Sequence, residues 1–247
     1  MNKSDCIVFD DVSISYGSEQ AVRNVSFSVP TGEVFAIVGE SGSGKSTLLR
    51  LIAMLEKPTS GTLRLLGEDI HSIQHHREIY RSMQMMFQNP LAVIPPRMNL
   101  EEFLLEPYIN YGLMDVAAAK DDIRKWIQHV DLPETIVNKY PHEVSGGQLQ
   151  RVVLARIMLM NPKLVLFDEP TSALDAVNQK LVLDLLQKLH KEQPFGYVFV
   201  SHDIGLLQAV TDRIIVMKDG QIVETIESKR LKEAVHPYTQ ALVSAGE

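Results

Sequence analysis

The chain has 247 residues, enough for one large domain or for a core with a subdomain, and 45% of them are hydrophobic while 22% are charged. Its net charge of −7 argues against a general nucleic-acid binder, and its single cysteine, Cys6, excludes an intrachain disulfide and a cysteine-cluster metal site. No stretch approaches the roughly 20 apolar residues of a membrane span, and the start lacks the apolar run of a signal peptide. We therefore expect any membrane association to come through a partner.

The first third of the chain is predicted to be β structure. IVFDDVSISY (7–16) and AVRNVSFSV (21–29) alternate apolar and polar residues, as half-buried antiparallel strands do. VFAIV (34–38), LVLF (164–167) and YVFV (197–200) are continuously apolar, which is typical of strands covered on both faces. Polar residues and then a helical pattern follow each of these three runs, and this βα alternation predicts a parallel sheet.

The middle of the chain has helical periodicity instead. DVAAAKDDIRKWIQHV (115–130) and GQLQRVVLARIMLM (147–160) are predicted helices, with no convincing strand between them. We expect a single domain, 1–247. Its parts are an α/β core formed by 1–88 and 161–227, a helical insertion at 89–160, and a helical tail at 228–247.

A phosphate-loop motif follows the first buried strand. GESGSGKS (39–46) matches G-x-x-x-x-G-K-[ST] in full and precedes the helical pattern STLLRLIAML. Glycines let backbone N–H groups turn inward around an anion, and the helix N-terminus adds partial positive charge. A Gly/Ser-rich surface turn is the alternative, but the strand and helix flanks favour nucleotide binding. The predicted contacts are Gly39, Ser41, Gly42, Ser43, Gly44, Lys45, Ser46 and Thr47, with Lys45 reaching the β- and γ-phosphates and Ser46 a Mg²⁺ ligand.

Two acids end the second buried strand, in KLVLFDEPTSALD (163–175). Asp168 and Glu169 stand where open α/β sheets bind ligands. Asp168 is predicted to hold Mg²⁺ and Glu169 to polarise the attacking water. An exposed polar strand end is the alternative, and the phosphate loop makes the catalytic interpretation preferable.

Three further side chains are candidates by position. His202 follows the third buried strand and could contact the γ-phosphate or position the water. Gln88 follows the apolar run MQMMF and could join the metal or water shell, with a catalytic role. Tyr16 ends a predicted strand and could stack on a base, unless it packs on its own sheet.

A second glycine-containing helix start lies in VSGGQLQRVVLARIMLM (144–160). Ser145, Gly146 and Gly147 open a helix as an anion-binding loop would. Ser145 is equally suited to be an ordinary helix N-cap. Both interpretations stay open on the residues alone.

Taken in order, these motifs resemble the nucleotide-binding subunit of ATP-binding cassette (ABC) transporters over nearly the whole chain. The resemblance implies a P-loop NTPase, RecA-like α/β fold: a mostly parallel core sheet, an N-terminal antiparallel β subdomain and an inserted α-helical subdomain. It implies an ATPase that uses ATP and Mg²⁺, with Lys45, Gln88, Glu169 and His202 in catalysis and Ser46, Gln88 and Asp168 around the metal. Val144 replaces the usual Leu of the signature motif, but every catalytic position is kept, so we expect a hydrolytically competent site.

The resemblance also implies partners. Two such subunits face each other head to tail with two ATP molecules between them. The signature residues Ser145, Gly146, Gly147 and Gln148 then contact the nucleotide held by the other subunit. Asp175 lies at the same interface. The partner ATPase is either a second copy or a related subunit.

Two stretches narrow the family. These stretches, FQNPLAVIPPRMNL (87–100) and HPYTQAL (236–242), are similar to segments of ATPase subunits of peptide and nickel importers. In the first stretch those subunits more usually have Asn-Pro-Arg where this chain has PPR (95–97). The sequence stops at Glu247 without the cysteine-bearing extension of longer peptide-importer members, which favours the shorter nickel or metal-chelate members. A plain exposed terminal helix is the alternative for HPYTQAL.

The expected function is therefore the ATPase of an importer for peptides, nickel or metal chelates. We expect it at the cytoplasmic face of the inner membrane, held by integral permease subunits, with a solute-binding protein as an indirect partner and no nucleic acid. An exporter ATPase and a non-transport ABC ATPase are the alternatives. The single cassette and the short helical insertion disfavour the non-transport type.

Overall fold

The structure is a computed structural model, and it describes residues 5–89, 93–170, 176–192 and 195–245, with the backbone alone for 176–178. Within these residues the chain forms two compact units. The first comprises the described parts of Met1–Met85, Lys163–Glu169 and Pro194–Glu247, and the second those of Met86–Pro162 and Pro170–Gln193.

The first unit begins with an antiparallel sheet. Strands β1 (Asp5–Tyr16) and β2 (Glu19–Pro30) pair with Phe9 opposite Phe27. Strands β4 (Ser60–Leu65) and β5 (Glu68–Asp69) complete the order β2-β1-β4-β5. The alternating pattern of 7–16 and 21–29 predicted this pairing, and the prediction is confirmed.

Among the described residues, the second sheet has six strands: β3 (Val34–Val38), β6 (Met83–Met86), β7 (Leu164–Asp168), β8 (Gly196–Ser201), β9 (Arg213–Lys218) and β10 (Gln221–Glu227). Their order in the sheet is β10-β9-β3-β8-β7-β6. The continuously apolar runs form its centre, where β3 and β8 run parallel and β7 runs parallel to β8. The predicted βα alternation is thereby confirmed.

Aromatic stacking fixes these sheets. Phe167 on β7 stacks on Phe199 of β8 with ring centroids 4.8 Å apart, and Tyr197 meets Phe167 edge-on at 6.0 Å. Phe27 stacks on Phe9 at 4.6 Å and tilts against Phe35 of β3 at 6.0 Å. A fully buried aromatic side chain stabilises the fold by about 1.5–3 kcal/mol. These contacts therefore stabilise the strands whose ends carry the polar residues of the candidate site.

Four helices complete the first unit: α1 (Lys45–Ile52), α2 (His76–Ser82), α7 (Ile204–Gln208) and α8 (Pro237–Ala245). A 3-10 helix at Ser228–Glu233 precedes α8. The described part of the tail thus contains two helical segments, separated by residues 234–236.

The second unit is helical in its described part. It contains α3 (Leu100–Tyr111), α4 (Val116–His129), α5 (Gly146–Leu159) and α6 (Ala176–Glu192), with 3-10 turns at Glu134–Asn138 and Pro141–Glu143. The helices predicted at 115–130 and 147–160 correspond to α4 and α5. Helix α6 groups with this unit, although the predicted boundaries place it in the α/β core; those boundaries stay a prediction.

Side-chain caps explain where three of these helices begin. Asn99 accepts from the Glu102 N–H, Asp115 from the Ala117 and Ala118 N–H groups, and Ser145 from the Gln148 N–H. Such caps satisfy first-turn donors that have no partner inside the helix and are each worth about 1 kcal/mol. In the part of the chain that the structure describes, no helix is long and apolar enough to cross a bilayer.

Candidate nucleotide-binding site

The phosphate loop connects β3 to α1 and needs glycine at its first position. Gly39 has φ 154°, and a Cβ added there would lie 2.2 Å from the Met217 carbonyl oxygen of β9. Only a residue without a side chain permits this approach of loop and strand. The loop is thus built against the neighbouring strand of the sheet.

Backbone hydrogen bonds hold the rest of the loop. The Ser43 N–H donates to the Glu40 carbonyl at 3.2 Å, and the Gly220 N–H donates to the Ser43 carbonyl at 3.1 Å. Gly220 belongs to the turn between β9 and β10, so this turn supports the loop from outside. The loop conformation is therefore fixed by contacts that involve no ligand.

Helix α1 begins without a side-chain cap, unlike α3, α4 and α5. Its N-cap is Gly44, at φ 101°, and among the described residues no side chain caps its first turn. Space is open where a Cβ on Gly42 would point, and the buried Ser43 hydroxyl has no hydrogen-bond partner among the described residues. The first-turn N–H groups and the open loop fit a phosphate group, whereas the Ser43 hydroxyl is turned away from the cleft toward Gly39.

Lys45 is buried at the floor of the site, with 6% of its surface exposed. Its Nζ donates to the Gly39 and Glu40 carbonyls, at 2.8 and 2.7 Å. Burial lowers the pKa of Lys45, and the carboxylates of Glu169, Asp168 and Glu40 oppose this effect. An ammonium group has three donors, so one N–H is available to a phosphate oxygen while two hold the loop.

The two acids follow β7 as the sequence predicted. Asp168 is its last residue; burial raises the pKa of this carboxyl, and the neighbouring Glu169 raises it further, while Arg50 and Lys45 lower it. Glu169 has φ +44° and donates its N–H to the Val200 carbonyl of β8 at 3.0 Å. A non-glycine residue rarely adopts this conformation, and such local strain is concentrated at functional sites.

His202 and Tyr16 lie at the edges of the same site. The His202 Nδ1 is 3.5 Å from a Glu169 carboxylate oxygen, with 66% of the histidine side chain exposed. Tyr16 is 48% exposed, so it is not packed on its own sheet, and its hydroxyl donates to the Glu56 carboxylate. Both rings are accessible to a ligand.

Most of these groups line an open cleft of about 840 Å³ within the first unit. This volume lies in the usual range for small-molecule sites. The cleft brings together predicted residues of several elements: Tyr16, Ser41, Gly42, Gly44, Lys45, Ser46, Thr47, Glu169 and His202. The predicted residues Gly39, Ser43 and Asp168 do not line it. The cleft also contains residues that the motifs did not indicate: Glu19, Gln20, Ala21 and Arg23 of β2, and Asp219 and Gly220 of the β9–β10 turn. The Asp-Gly pair after the apolar run RIIVM was the one sequence signal for that turn.

The remaining predicted residues do not belong to this unit. Gln88 and the signature residues Ser145, Gly146, Gly147 and Gln148 lie in the second unit, and Asp175 lies outside the described residues. Ser145 is an exposed N-cap: it and Gln148 form a reciprocal capping box, with bonds of 3.3 and 3.0 Å. The capping interpretation of Ser145 is therefore correct as local structure, and it leaves a second role open.

Comparisons with known proteins agree with this geometry. Residues 22–172 match the family model described as ABC transporter. The chain belongs to the ABC transporter family. It is 39% identical to the di/tripeptide transport ATP-binding protein DppF of Pseudomonas aeruginosa, over 92% of this chain and 71% of that protein. It is 38% identical to the oligopeptide transport ATP-binding protein AppF of Bacillus subtilis, over 93% of this chain and 71% of that protein.

Solved structures give the same fold. The ATP-binding cassette MJ0796, a dimer in a post-hydrolysis state with ADP and Pi bound, has a TM-score of 0.79 and 31% identity, over 90% of this chain and 98% of that one. The structure of cbiO1 from Clostridium perfringens has a TM-score of 0.85 at 24% identity, over 93% of this chain and 91% of that one, and supports the fold alone. This ABC protein is accordingly an ATPase, with ATP and Mg²⁺ as its nucleotide and metal.

Gly39→Ala tests the built loop. The new methyl group would meet the Met217 carbonyl at 2.2 Å, so loop or strand must move. We expect nucleotide affinity to fall at least tenfold and the free energy of unfolding to fall by about 2–3 kcal/mol. Fluorescent nucleotide titration and urea unfolding measure the two effects.

Gly17→Ala is the matched control, because Gly17 also has a positive φ, of 61°, but has nothing within 4 Å of the added Cβ. Its stability should fall by about 1 kcal/mol with nucleotide affinity unchanged. Equal nucleotide affinities for the two variants would contradict the close approach at Gly39.

Proposed function

We propose that this chain is the ATP-hydrolysing subunit of an importer that takes up peptides. The observation that carries the proposal is the 38–40% identity to proteins named as oligopeptide and di/tripeptide transport ATP-binding proteins, over 92–96% of this chain. The tail HPYTQAL and the segment 87–100 support the same family. Nickel or a metal chelate is the alternative cargo that the sequence resemblance implies.

The chemistry follows from the residues of the cleft. The loop amides and Lys45 bind the phosphates, and Tyr16 stacks on the base. Within the first unit, Ser46 and Asp168 are the proposed holders of Mg²⁺, which would neutralise phosphate charge. Hydrolysis needs mostly positioning and charge stabilisation, since water is the acceptor of the phosphoryl group.

Glu169 is the proposed base. Its carboxylate would orient and polarise the water, and the His202 ring, 3.5 Å away, would contact the γ-phosphate or help to position that water. The positive φ of Glu169 and its N–H bond to Val200 hold the carboxylate at the strand end, where it lines the cleft. A base held by its backbone requires little rearrangement during the reaction.

Glu169→Gln tests this assignment, because the amide keeps the size of the side chain and removes its basicity. We expect ATP affinity within about threefold of wild type and kcat at least a hundredfold lower. Binding titrations and phosphate release measure these two quantities. Glu19→Gln, an exposed acid of the same cleft, is the control and should hydrolyse normally. Near-normal turnover by the Glu169 variant would exclude it as the base.

The active form is proposed to be a dimer with a second ATPase subunit, identical or related, with ATP between the two. In this arrangement Ser145, Gly146, Gly147 and Gln148 would contact the γ-phosphate bound by the partner, and Asp175 would lie near the same interface. Exposure of the Ser145 cap fits such a contact. Its glycine neighbours leave backbone N–H groups accessible at the start of α5.

Ser145→Arg tests the contact with the partner's nucleotide. A long cation at the start of α5 should leave ATP binding to the isolated chain unchanged and reduce hydrolysis at least about fiftyfold by blocking closure. Asn99→Arg is the matched control, since it also replaces a capping-box residue by arginine, at the start of α3. If both variants hydrolyse alike, the loss of a cap explains the effect and the signature role is wrong.

The chain is proposed to lie at the cytoplasmic face of the cell membrane, bound to integral permease subunits through its helical unit, with Gln88 linking nucleotide state to that unit. A solute-binding protein would deliver the cargo to the permease. Co-purification of membrane subunits with the tagged chain would support this placement.

Uptake by a deletion strain tests the cargo. We expect loss of growth on peptides as the sole source of a required amino acid, restored by the wild-type chain and not by its Glu169→Gln variant. Accumulation of radioactive nickel should be unchanged. Loss of nickel accumulation with normal peptide growth would assign the metal instead, and increased retention of either solute would indicate an exporter.

A further inference from the structure

The C-terminal tail bonds directly to the phosphate loop. The hydroxyl oxygen of Tyr238, in the first turn of α8, accepts a hydrogen bond from the Glu40 N–H at 2.8 Å. Glu40 is the second residue of the loop, 198 positions earlier in the sequence. Both residues belong to the first unit.

The start of the tail is itself anchored, so the Tyr238 contact is not that of a loose terminus. The Glu224 carboxylate of β10 accepts from the Val235 and His236 N–H groups, at 2.9 and 3.2 Å. The His236 Nδ1 accepts from the Tyr238 N–H at 3.2 Å. The Tyr238 ring also lies 5.0 Å from the Lys218 ammonium group at the end of β9.

One peptide group connects Tyr238 to Lys45. The carbonyl of the Gly39–Glu40 peptide accepts from the Lys45 Nζ at 2.8 Å, and the N–H of this same peptide donates to Tyr238. A peptide group is planar and rigid, so a bond at its N–H fixes the direction of its carbonyl. The tail hydroxyl therefore orients the acceptor that holds the buried ammonium group.

The hydrogen bond to Tyr238 uses the Glu40 N–H, which is not needed for phosphate binding. The predicted phosphate contacts are the other residues of the loop and the first turn of α1, and Glu40 is not among them. The Glu40 N–H lies outside this set and is bonded to the tail instead. The tail can thus stay bonded to the loop while phosphates are bound.

We propose that Tyr238 is a positioning residue for the phosphate site: its hydroxyl holds the Gly39–Glu40 peptide, and through it Lys45, in the orientation that receives the β- and γ-phosphates. The inference rests on the ATPase function and adds to it a role for the tail. Tyr238 touches no phosphate itself and acts through the loop. The stretch HPYTQAL is, in this view, part of the nucleotide site.

Tyr238→Phe tests the proposal, because it removes the hydroxyl and keeps the ring over Lys218. In the full chain we expect the Kd for a fluorescent ATP analogue to rise about fivefold, as for the loss of one net hydrogen bond. The Ki of inorganic tripolyphosphate as a competitor should rise by a similar factor, since the effect acts on phosphates and not on the base. Hydrogen exchange of the Glu40 amide should become faster in this variant.

Two controls separate the hydroxyl from general effects. Tyr80→Phe removes a hydroxyl from α2, outside the cleft, and Lys218→Met removes the cation beside the ring while leaving the Glu40 bond. Both should keep wild-type affinity for ATP and tripolyphosphate.

Failure of the Tyr238 role and failure of the ATPase assignment give different results. Wild-type affinities for both ligands in Tyr238→Phe, or a change confined to ATP with tripolyphosphate unaffected, would overturn the role of Tyr238 and leave the ATPase assignment intact. If Tyr238→Phe is too unstable to titrate, hydrogen exchange of the wild-type chain provides the test. The proposal is overturned if the Glu40 amide in that chain exchanges as fast as the neighbouring loop amides. A wild-type chain that binds no ATP analogue overturns both.

Discussion

The buried ammonium group of Lys45 is the constraint on which the rest of the site depends. A charge removed from water is stable only when it is paired, and here the pairing comes from two loop carbonyls and from the carboxylates of Asp168, Glu169 and Glu40. Those groups belong to the loop after β3 and to the end of β7. The parallel arrangement of the sheet, through β8, brings these two ends to one edge. The fold therefore supplies the charge balance that phosphate binding requires.

A second constraint is the rigidity of the loop. Gly39 lies against the Met217 carbonyl, Gly220 bonds to Ser43, and Tyr238 bonds to Glu40. These contacts come from β9, from the turn after it and from the tail, so the far C-terminal third of the chain shapes a motif near its start. A loop held in this way loses little further freedom when an anion binds, and the binding energy is correspondingly greater.

The sequence predicted the elements whose signal is local. VFAIV, LVLF and YVFV are apolar throughout because the strands are buried on both faces, and the phosphate loop stands out because its glycines and Lys45 have fixed spacing. Strands β9 and β10 and the contact of Tyr238 with Glu40 were not predicted. The last joins residues 198 positions apart, and no periodicity or spacing encodes such a pair. Ser145 shows a different limit, since one residue type suits both a helix cap and an anion contact.

The most direct test of the preformed loop is a crystal structure of the full chain with Mg²⁺ and a non-hydrolysable ATP analogue. In this complex residues 39–46 should keep their backbone conformation. Lys45 should still donate to the Gly39 carbonyl while also contacting a phosphate oxygen, and the Glu40 N–H should remain bonded to Tyr238. A loop that changes conformation on binding, with Lys45 released from both carbonyls, would contradict a preformed loop.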